Sequence, residues 1–595
     1  MKLSDYIADF LAKQGIRHAF VLTGGASLHL IDSINRQAGI DFVCCQHEQA
    51  NAMAADAYAR VTGGLGAAVA TSGPGATNMI TGVCCAFYDS VPVVYITGQV
   101  ATFRLSGKTG VRQIGFQETA VVEMYKPVTK YAVMLVDPKR IRYELEKACY
   151  IARSGRPGPV LIDIPDNLQR MEVQPERLEG FIPTPEKHAA FSPSPLQIQQ
   201  CLDLVKEARR PVIIPGWGIR LAKAETEALR MIETLGFPVA PTWGAMDLLP
   251  AAHPQFVGSF GLHGTRYGNF TVQNADLILA IGTRLDTHET GSPLSTFARS
   301  AKRIVVDIDP NELNKFEAFN LKIDLPVQAD AGEFLSAFNR RLGGYRRQDL
   351  SAWLGQVAAW KRDFPICPPA YYKEKSVNPY VLIKELSAVM PKDETIFLDT
   401  GCAVAWTMQA FDFKKGQRIY HAFNNTPMGY GLPASIGASF ARGKRPVTLI
   451  SGDGSLQMNI QELATVIRHK LPIRIFLINN RGYSMIQQTQ DQWLNSNYVA
   501  STVEGGLAFP DFIKVAKAYG FPVISMRKNA EVSGKVRKAF AAKGPVFCDI
   551  EIDPARRVIP QVVFGRPIED AHPLIDRRIL KKNMLVSLLE ASLKP

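Results

Sequence analysis

The sequence predicts an α/β protein of three doubly wound parallel-sheet domains, the first and third related by duplication. Three observations support this. Short β-branched or small apolar runs lead through glycine turns into helical patterns: Ala67-Ala68-Val69-Ala70 before Ser72-Gly73, Val212-Ile213-Ile214 before Gly216, and Val447-Thr448-Leu449-Ile450 before Ser451-Gly452. Strands alternating with helices in this way build parallel sheets covered by helices. Proline-rich breaks, at Pro183-Thr184-Pro185 to Ser192-Pro193-Ser194-Pro195 and at Pro365-Ile366-Cys367-Pro368-Pro369, divide the 595 residues into 1–185, 186–370 and 371–595. Finally, Ser72-Gly73-Pro74-Gly75-Ala76 returns 379 residues later as Ser451-Gly452-Asp453-Gly454-Ser455. The following strand, Val91-Pro92-Val93-Val94-Tyr95-Ile96-Thr97-Gly98, returns as Leu471-Pro472-Ile473-Arg474-Ile475-Phe476-Leu477-Ile478 at an offset of 380. Two successive strands that keep their separation to within one residue point to duplication.

Composition narrows the function classes. Apolar residues make up 46% and charged residues 21%, the balance of an ordinary globular protein. Apolar runs such as Val91 to Ile96 fall far short of the roughly 20 residues a membrane helix needs. The Met1-Lys2-Leu3-Ser4-Asp5-Tyr6 start lacks the pattern of a secretory leader, so a cytoplasmic location is expected. Nine cysteines, including the pairs Cys44-Cys45 and Cys84-Cys85, form no C-x-x-C and are expected as reduced core thiols. The net charge of +13 is spread along the chain and is dense only at Arg577-Arg578 and Lys581-Lys582, so no nucleic-acid partner is expected.

The sharpest local signal is Gly452-Asp453-Gly454-Ser455, separated by 24 residues from Asn479-Asn480, with each end placed after a predicted strand. Glycines let backbone N–H groups approach an anion, and a helix starting near Ser455 adds the positive end of its dipole. Its apolar positions Leu456, Ile460, Leu463 and Ile467 predict one continuous amphipathic helix. Asp453 and Asn480 offer hard oxygen ligands to magnesium, which keeps positions for a diphosphate and water. A Gly-Asp-Gly turn alone is commonplace. The paired asparagines make it a diphosphate and metal clamp.

This composite resembles the signature of thiamine-diphosphate enzymes, and the resemblance runs over nearly the whole chain to the acetolactate-synthase-like branch, which includes pyruvate oxidase and related carboligases. It is carried in order by Gly24-Gly25-Ala26-Ser27, His47-Glu48-Gln49, Ala57-Tyr58-Ala59-Arg60, Thr71 to Asn78, Asp89-Ser90-Val91-Pro92, Ile96 to Val100, and Phe116-Gln117-Glu118-Thr119. The resemblance implies the thiamine-diphosphate-binding fold, with a pyrimidine-binding first domain and a diphosphate-binding last domain. It implies that Glu48 hydrogen-bonds the aminopyrimidine ring and favours the imino tautomer that takes the thiazolium proton. Gly25 and Gln117 join Glu48 in the implied catalytic set, with Pro74 and Asn78 beside the cofactor. In the last domain, Asp453, Asn480 and the carbonyl of Gly482 are implied Mg2+ ligands, and Gly452, Gly454 and Ser455 lie at the diphosphate. Tyr483, Met485 and Ile486 are further implied cofactor contacts. Met428 would prop the cofactor in its bent form, and the Thr426 carbonyl would hold its amino group.

The middle domain resembles the family's flavin-binding domain through Pro215-Gly216-Trp217-Gly218, Gly261 to Thr265, Gly282-Thr283-Arg284-Leu285-Asp286 and Val306-Asp307-Ile308-Asp309. The implied FAD set is Gly216, Gly218, His263, Gly282, Arg284, Asp286, Asp307 and Asp330. A flavin-like fold without flavin is the alternative; Asp307 either accepts a ribose hydroxyl or merely ends a strand.

The chain departs from biosynthetic acetolactate synthases at the acceptor side. They carry a tryptophan nine residues after the second asparagine, where this chain has Thr489; an arginine of theirs is replaced by His288; and an early middle-domain lysine has no counterpart near Phe191 to Pro195. Phe116, Thr489 and His288 are therefore assigned to the acceptor pocket. A missing indole leaves room for a larger acceptor. The expected activity is decarboxylation of pyruvate or a similar 2-ketoacid donor and transfer of the acyl unit to a second carbonyl acceptor, such as a ketone or keto-sugar. Gly107 to Gln113 resembles members that act on surface-polysaccharide sugars. Acetolactate synthase proper, a pyruvate-oxidase-like flavoenzyme and a catalytically silent paralogue are the alternatives. The family implies a homodimer or homotetramer in which Glu48 and Asp453 serve one interface site from different subunits. The tail from Arg556 to Asp576 is assigned no role.

Overall fold

The computed structural model describes residues 1–183 and 191–593. The break at Thr184-Pro185 and the expected boundary between 185 and 186 lie outside the described residues.

The first sheet contains β1 (His18–Val21), β2 (Asp41–Cys44), β3 (Gly66–Ala70), β4 (Val93–Gln99), β5 (Tyr131–Met134) and β6 (Val160–Pro165). Its spatial order is β2-β1-β3-β4-β6-β5, all parallel. A middle sheet holds β7 (Pro211–Pro215), β8 (Leu277–Ile281), β9 (Lys302–Asp307) and β10 (Leu325–Gln328) in the order β10-β9-β8-β7. The third contains β11 (Thr395–Leu398), β12 (Arg418–Tyr420), β13 (Val447–Gly452), β14 (Ile473–Asn479), β15 (Val523–Met526) and β16 (Val546–Glu551). Its order, β12-β11-β13-β14-β16-β15, reproduces the first sheet strand for strand. The predicted duplication is thus an identity of topology. Fully buried strands such as β3, β4 and β6 need apolar residues on both faces, which is why they read as runs without alternation.

The duplicated domains meet through equivalent helices. Glu48–Thr62 runs between β2 and β3, and Gly431–Ala441 runs between β12 and β13. Glu48–Thr62 starts where His47 Nδ1 accepts the Gln49 N–H at 3.1 Å and ends at Gly63, whose φ of 64° suits glycine. Its run of alanines presents a smooth surface, and a Cβ added to Gly437 would lie 2.0 Å from the Ala54 carbonyl oxygen. Small residues on both partners therefore set the close approach. The contact is locked by a buried ion network: Arg60 reaches Asp56 at 2.8 Å, Asp89 at 2.8 Å and the His421 carbonyl at 3.0 Å, while Tyr430 Oη donates to Asp56 at 2.6 Å.

Two expectations need correction, and the tail, assigned no role above, has a place. The helix expected from Ser455 through Ile467 begins two residues earlier and is broken, into Asp453–Met458, a 3-10 turn Ile460–Glu462 and Leu463–Arg468. Asn459 leaves helical geometry there and its Nδ2 donates to the Gly429 carbonyl at 2.7 Å, a tertiary bond that periodicity does not reveal. Among the cysteines, six are buried, but Cys44 is exposed on an edge strand and Cys84 and Cys367 are half-buried. Finally, the C-terminal tail returns to the middle domain: Val562, Ile568, Leu580 and Met584 pack with Phe270, Trp353 and Trp360. Among the described residues, no helix is long and apolar enough to cross a membrane.

Candidate active site

β13 and β14 are neighbours with Gly452 paired to Ile478, so the turns leaving their carboxyl ends lie side by side. This brings Asp453 to Asn480. Asp453 Oδ1 accepts the Gly454 N–H at 2.6 Å, and Oδ2 accepts those of Asn480 at 3.0 Å and Arg481 at 2.5 Å. Burial pushes the Asp453 carboxyl up to about 6, with these backbone donors pulling the other way. Among the described residues, no cationic side chain pairs with it. A buried carboxylate held by backbone donors but lacking a cation fits a divalent ion. Among the described residues there is no cluster of three or more His, Cys, Asp or Glu suited to a metal. Further ligands therefore have to be neutral oxygens or come from a bound anion. Asn480 is oriented by a hydrogen bond from its Nδ2 to Ser484 Oγ.

The same corner gathers other expected residues. A Cβ on Gly454 would lie 2.1 Å from Tyr483 Cε1 and 3.1 Å from Met428 Cε, so these three surround one point. Gly482 is confined by Gln487 and the Ser501 carbonyl, and Ser455 is buried in the turn. Thr426 is exposed with a φ of 42°, and Gly452, half-buried, has open space where a Cβ would stand. Met485 and Ile486 follow on the helix Ser484–Trp493, Ile486 being half exposed. A residue not anticipated, Asp399, fixes the Met428 loop: its Oδ1 accepts the Gly429 N–H at 3.1 Å and its Oδ2 the Ser451 hydroxyl at 3.1 Å. Burial pushes its carboxyl up to about 6. Its position directly after β11, before Thr400-Gly401, was the available signal.

The first domain forms a second group. Glu48 is buried at the start of its helix, and Oε2 accepts the Asn78 amide at 3.0 Å. Gly75 is needed beside it, because an added Cβ would stand 3.5 Å from Glu48 Oε1 and 2.8 Å from Thr71 Cγ2. Pro74 opens the short helix Pro74–Asn78. Gln117 has a φ of 65°, and its Cβ lies 3.1 Å from where a Cβ on Gly73 would be. Phe116 is 86% exposed, and Gly25 is exposed on a 3-10 turn. Among the described residues, no hydrogen bond or ion pair joins this group to the Asp453 corner.

A cleft of about 650 Å³ separates the middle domain from the other two. Gly218, Gly282, Arg284, Asp286, Asp307 and Asp330 of the flavin set line it, together with Thr426. Gly216 and His263 do not. Gly216 is glycine because a Cβ would stand 2.3 Å from the Gly282 carbonyl, where β7 and β8 end together. His263 Nδ1 lies 2.9 Å from His288 Nε2, and burial with that neighbour pushes its pKa down to about 3. His288, expected at the acceptor, lines this cleft and packs against Trp243 with rings 4.2 Å apart. Asp307 accepts the Asp309 N–H at 2.9 Å and is pushed up to about 6 by burial. Arg156, missed by sequence reading, bridges the domains at the cleft wall: it meets Ser90 at 2.8 Å and both Asp309 and Glu312 at 3.0 Å. Nothing in its local sequence marks it, since Ser90 lies 66 residues away and its two carboxylate partners more than 150.

A duplicated pair of parallel sheets, one ending at a corner around buried Asp453 and the other bearing a buried glutamate, with a cleft of about 650 Å³ between the middle domain and both, fits an enzyme built around a phosphorylated coenzyme. Sequence comparison specifies it. Three stretches match thiamine pyrophosphate enzyme domains: the N-terminal TPP binding domain over 1–124, the central domain over 198–338 and the C-terminal TPP binding domain over 399–550. The chain belongs to the thiamine pyrophosphate enzyme family and is a thiamine-diphosphate-dependent enzyme of the acetolactate-synthase-like kind. It is similar to acetolactate synthase 2, chloroplastic, of Zea mays, at 34% identity over 581 residues covering 96% of this chain and 88% of that protein. The acetolactate synthase large subunit of Cyanidium caldarium is 32% identical over 566 residues, 94% of each chain. The chloroplastic acetolactate synthase of Arabidopsis thaliana is 32% identical over 590 residues, 97% of this chain and 85% of that one.

Proposed function

We propose that the protein decarboxylates pyruvate or a close 2-ketoacid and joins the acyl unit to a carbonyl acceptor larger than a second ketoacid. Thr489 is the observation that carries the acceptor assignment. It sits half-buried on the helix that also bears Met485 and Ile486, where by the resemblance biosynthetic acetolactate synthases carry an indole, and its hydroxyl turns back to the Met485 carbonyl at 3.2 Å. A small, internally satisfied side chain leaves space beside the reacting centre.

Bound thiamine diphosphate supplies the carbanion chemistry. The chain's part is to place and charge it. Glu48, aligned by Asn78, would hold the proton at the aminopyrimidine ring; the Thr426 carbonyl would accept from the amino group; and Met428 would support the bend. Asp453, Asn480 and the Gly482 carbonyl would hold Mg2+, with Gly454 and Ser455 at the diphosphate. Gly25 and Gln117 would face the reacting atoms. Among the described residues no hydrogen bond or ion pair joins the Glu48 and Asp453 groups, which supports a site that would draw on two subunits of a homodimer or a dimer of dimers. The chain would divide near 185 and 370, and the cleft at Arg284 and Asp307 would take FAD.

Product analysis tests the central statement. Purified protein given pyruvate with a panel of ketones and keto-sugars is expected to ligate the larger acceptors; rapid acetolactate formation with indifference to every other acceptor refutes it. Released flavin, read by its visible absorbance after denaturation, tests the cleft. Mixing Glu48→Gln with Asp453→Asn protein is expected to restore part of the activity if the site is shared.

A further inference from the structure

The helix Ser484–Trp493 keeps Gln487, Gln488 and Gln490 buried and leaves Met485, Ile486, Thr489, Gln492 and Trp493 on its open side. Residues three, four, seven and eight apart share a helical face. Trp493 therefore stands one turn, about 6 Å, beyond Thr489 on the surface that carries Met485 and Ile486. It is 60% exposed. It is not a solitary surface apolar residue, since Ile486 on the same face is 50% exposed.

Trp493 has one aromatic partner, and it comes from the tail. Phe564, 62% exposed, meets it edge-to-face with ring centroids 5.3 Å apart at an interplanar angle of 73°. Such a pair is preferred by the ring quadrupoles and holds both rings in place. The tail is tied to the buried side of the same helix. Gln488 exchanges two hydrogen bonds with the Val558 backbone, at 2.8 and 3.0 Å, and Arg557 Nε reaches Asp491 Oδ2 at 2.8 Å. Tyr498 Oη also donates to Asp491, at 2.6 Å. Phe564 is thus delivered to Trp493 by an anchored segment of the tail.

We propose that Trp493, braced by Phe564, is the acceptor-side wall of this enzyme and selects a cyclic carbonyl compound over an open-chain ketoacid. The indole missing at Thr489 is replaced one turn outward, which lengthens the pocket by about 6 Å and offers a flat aromatic face to the C–H face of a ring. The inference rests on the wide-acceptor reading above and assigns it a residue.

The test is a competition in which pyruvate is donor and cyclohexanone and pyruvate compete as acceptors, read as the ratio of the two ligation products. The ratio is internal, so it is insensitive to any loss of folded protein. Trp493→Ala is expected to lower the cyclic share about tenfold, Phe564→Ala about threefold, and Trp493→Phe less than either, the scale of one lost pocket contact. Ratios for Trp493→Ala and Phe564→Ala within about twofold of wild type, below that scale, overturn the assignment. Wild-type protein that ligates ketoacids alone overturns the wide-acceptor reading instead. Trp493 is then judged by the partition between pyruvate and 2-oxobutanoate as acceptors, which Trp493→Ala must shift by about threefold for the wall to stand.

Discussion

The first and third sheets have the same strand order, yet their strand ends carry different residues. After β3 the chain enters Ser72-Gly73-Pro74-Gly75, without a carboxylate, whereas after β13 it enters Gly452-Asp453-Gly454. Before the helix Glu48–Thr62 stands His47, while before Gly431–Ala441 stands Thr426-Pro427-Met428. Backbone topology was kept and the turns diverged, as expected when a scaffold is held by apolar strands and the turns are free to vary. On the function proposed above, one copy would be the proton-handling side and the other the anchoring side. Even the strands keep a trace: Asp163 is the fourth residue of β6 and Asp549 the fourth of β16. Asp163 has neutral partners, Thr97 at 2.7 Å and Gln99 at 2.9 Å, whereas Asp549 meets Arg527 at 2.7 Å.

The largest test of this division is Glu48→Gln. The amide keeps the shape and the Asn78 neighbourhood but loses the charge, so turnover is expected to fall about 10²–10⁴-fold, the usual worth of a positioned acid–base group. Coenzyme binding, followed by titration calorimetry, should survive, because the diphosphate is anchored in the other copy. Loss of binding with Glu48→Gln would erase the distinction between the two sides.

The contact between the copies comes next. Arg60 is fully buried between Asp56 and Asp89, whose partners include the backbone N–H groups of Phe423 and Asn424 at 2.9 and 3.1 Å. Arg60→Met strands two carboxylates and is expected to cost about 3–5 kcal/mol, read as a lower denaturant midpoint. Adding Asp89→Asn should recover part of it. A neutral Arg60→Met would mean the copies are held by the alanine and glycine contact alone.

Asp453→Asn sharpens the anchoring side. Removing the Asp453 carboxylate is expected to weaken coenzyme binding in the presence of magnesium roughly a hundredfold, as for about 3 kcal/mol of lost charge pairing. Chelation of wild-type protein should have the same effect and be reversed by added magnesium. An Asp453→Asn protein that binds as tightly as wild type refutes the clamp.

Much of this was legible from the chain because it depends on residues close together in sequence. The echo between residues 72 and 451 exposed the duplication, since both copies retain a strand, a glycine turn and a helix at fixed spacing. The Asp453 and Asn480 corner was legible because each follows a strand, and strand ends in a parallel sheet converge. Arg156, Trp243 and the Phe564 contact were not legible, because each is made by segments far apart in sequence. The break at Asn459 was missed for the same reason: four well-spaced apolar residues satisfy a helical period, while the bond to Gly429 belongs to tertiary structure.

The smallest expected effect concerns Asp163, where the two copies diverge inside the sheet. Burial pushes its carboxyl up to about 7 in the folded chain, only partly offset by Thr97 and Gln99, against the ordinary range near 4 when unfolded. The folded state therefore keeps a proton that the unfolded state has released. Stability from this group is complete below about pH 4 and declines as pH rises towards 7, by at most about 1.4 kcal/mol per unit. Asp163→Asn removes the titration while leaving an amide to meet Thr97 and Gln99. Its stability, measured by chemical denaturation across pH 5 to 8, should be flatter than wild type and higher at the alkaline end. Asp549, with Arg527 beside it, should not tolerate the same change, because Asp549→Asn removes the buried one of the two carboxylates, Asp549 and Glu551, that hold the guanidinium; equal responses at the two positions would show that the copies have not diverged there.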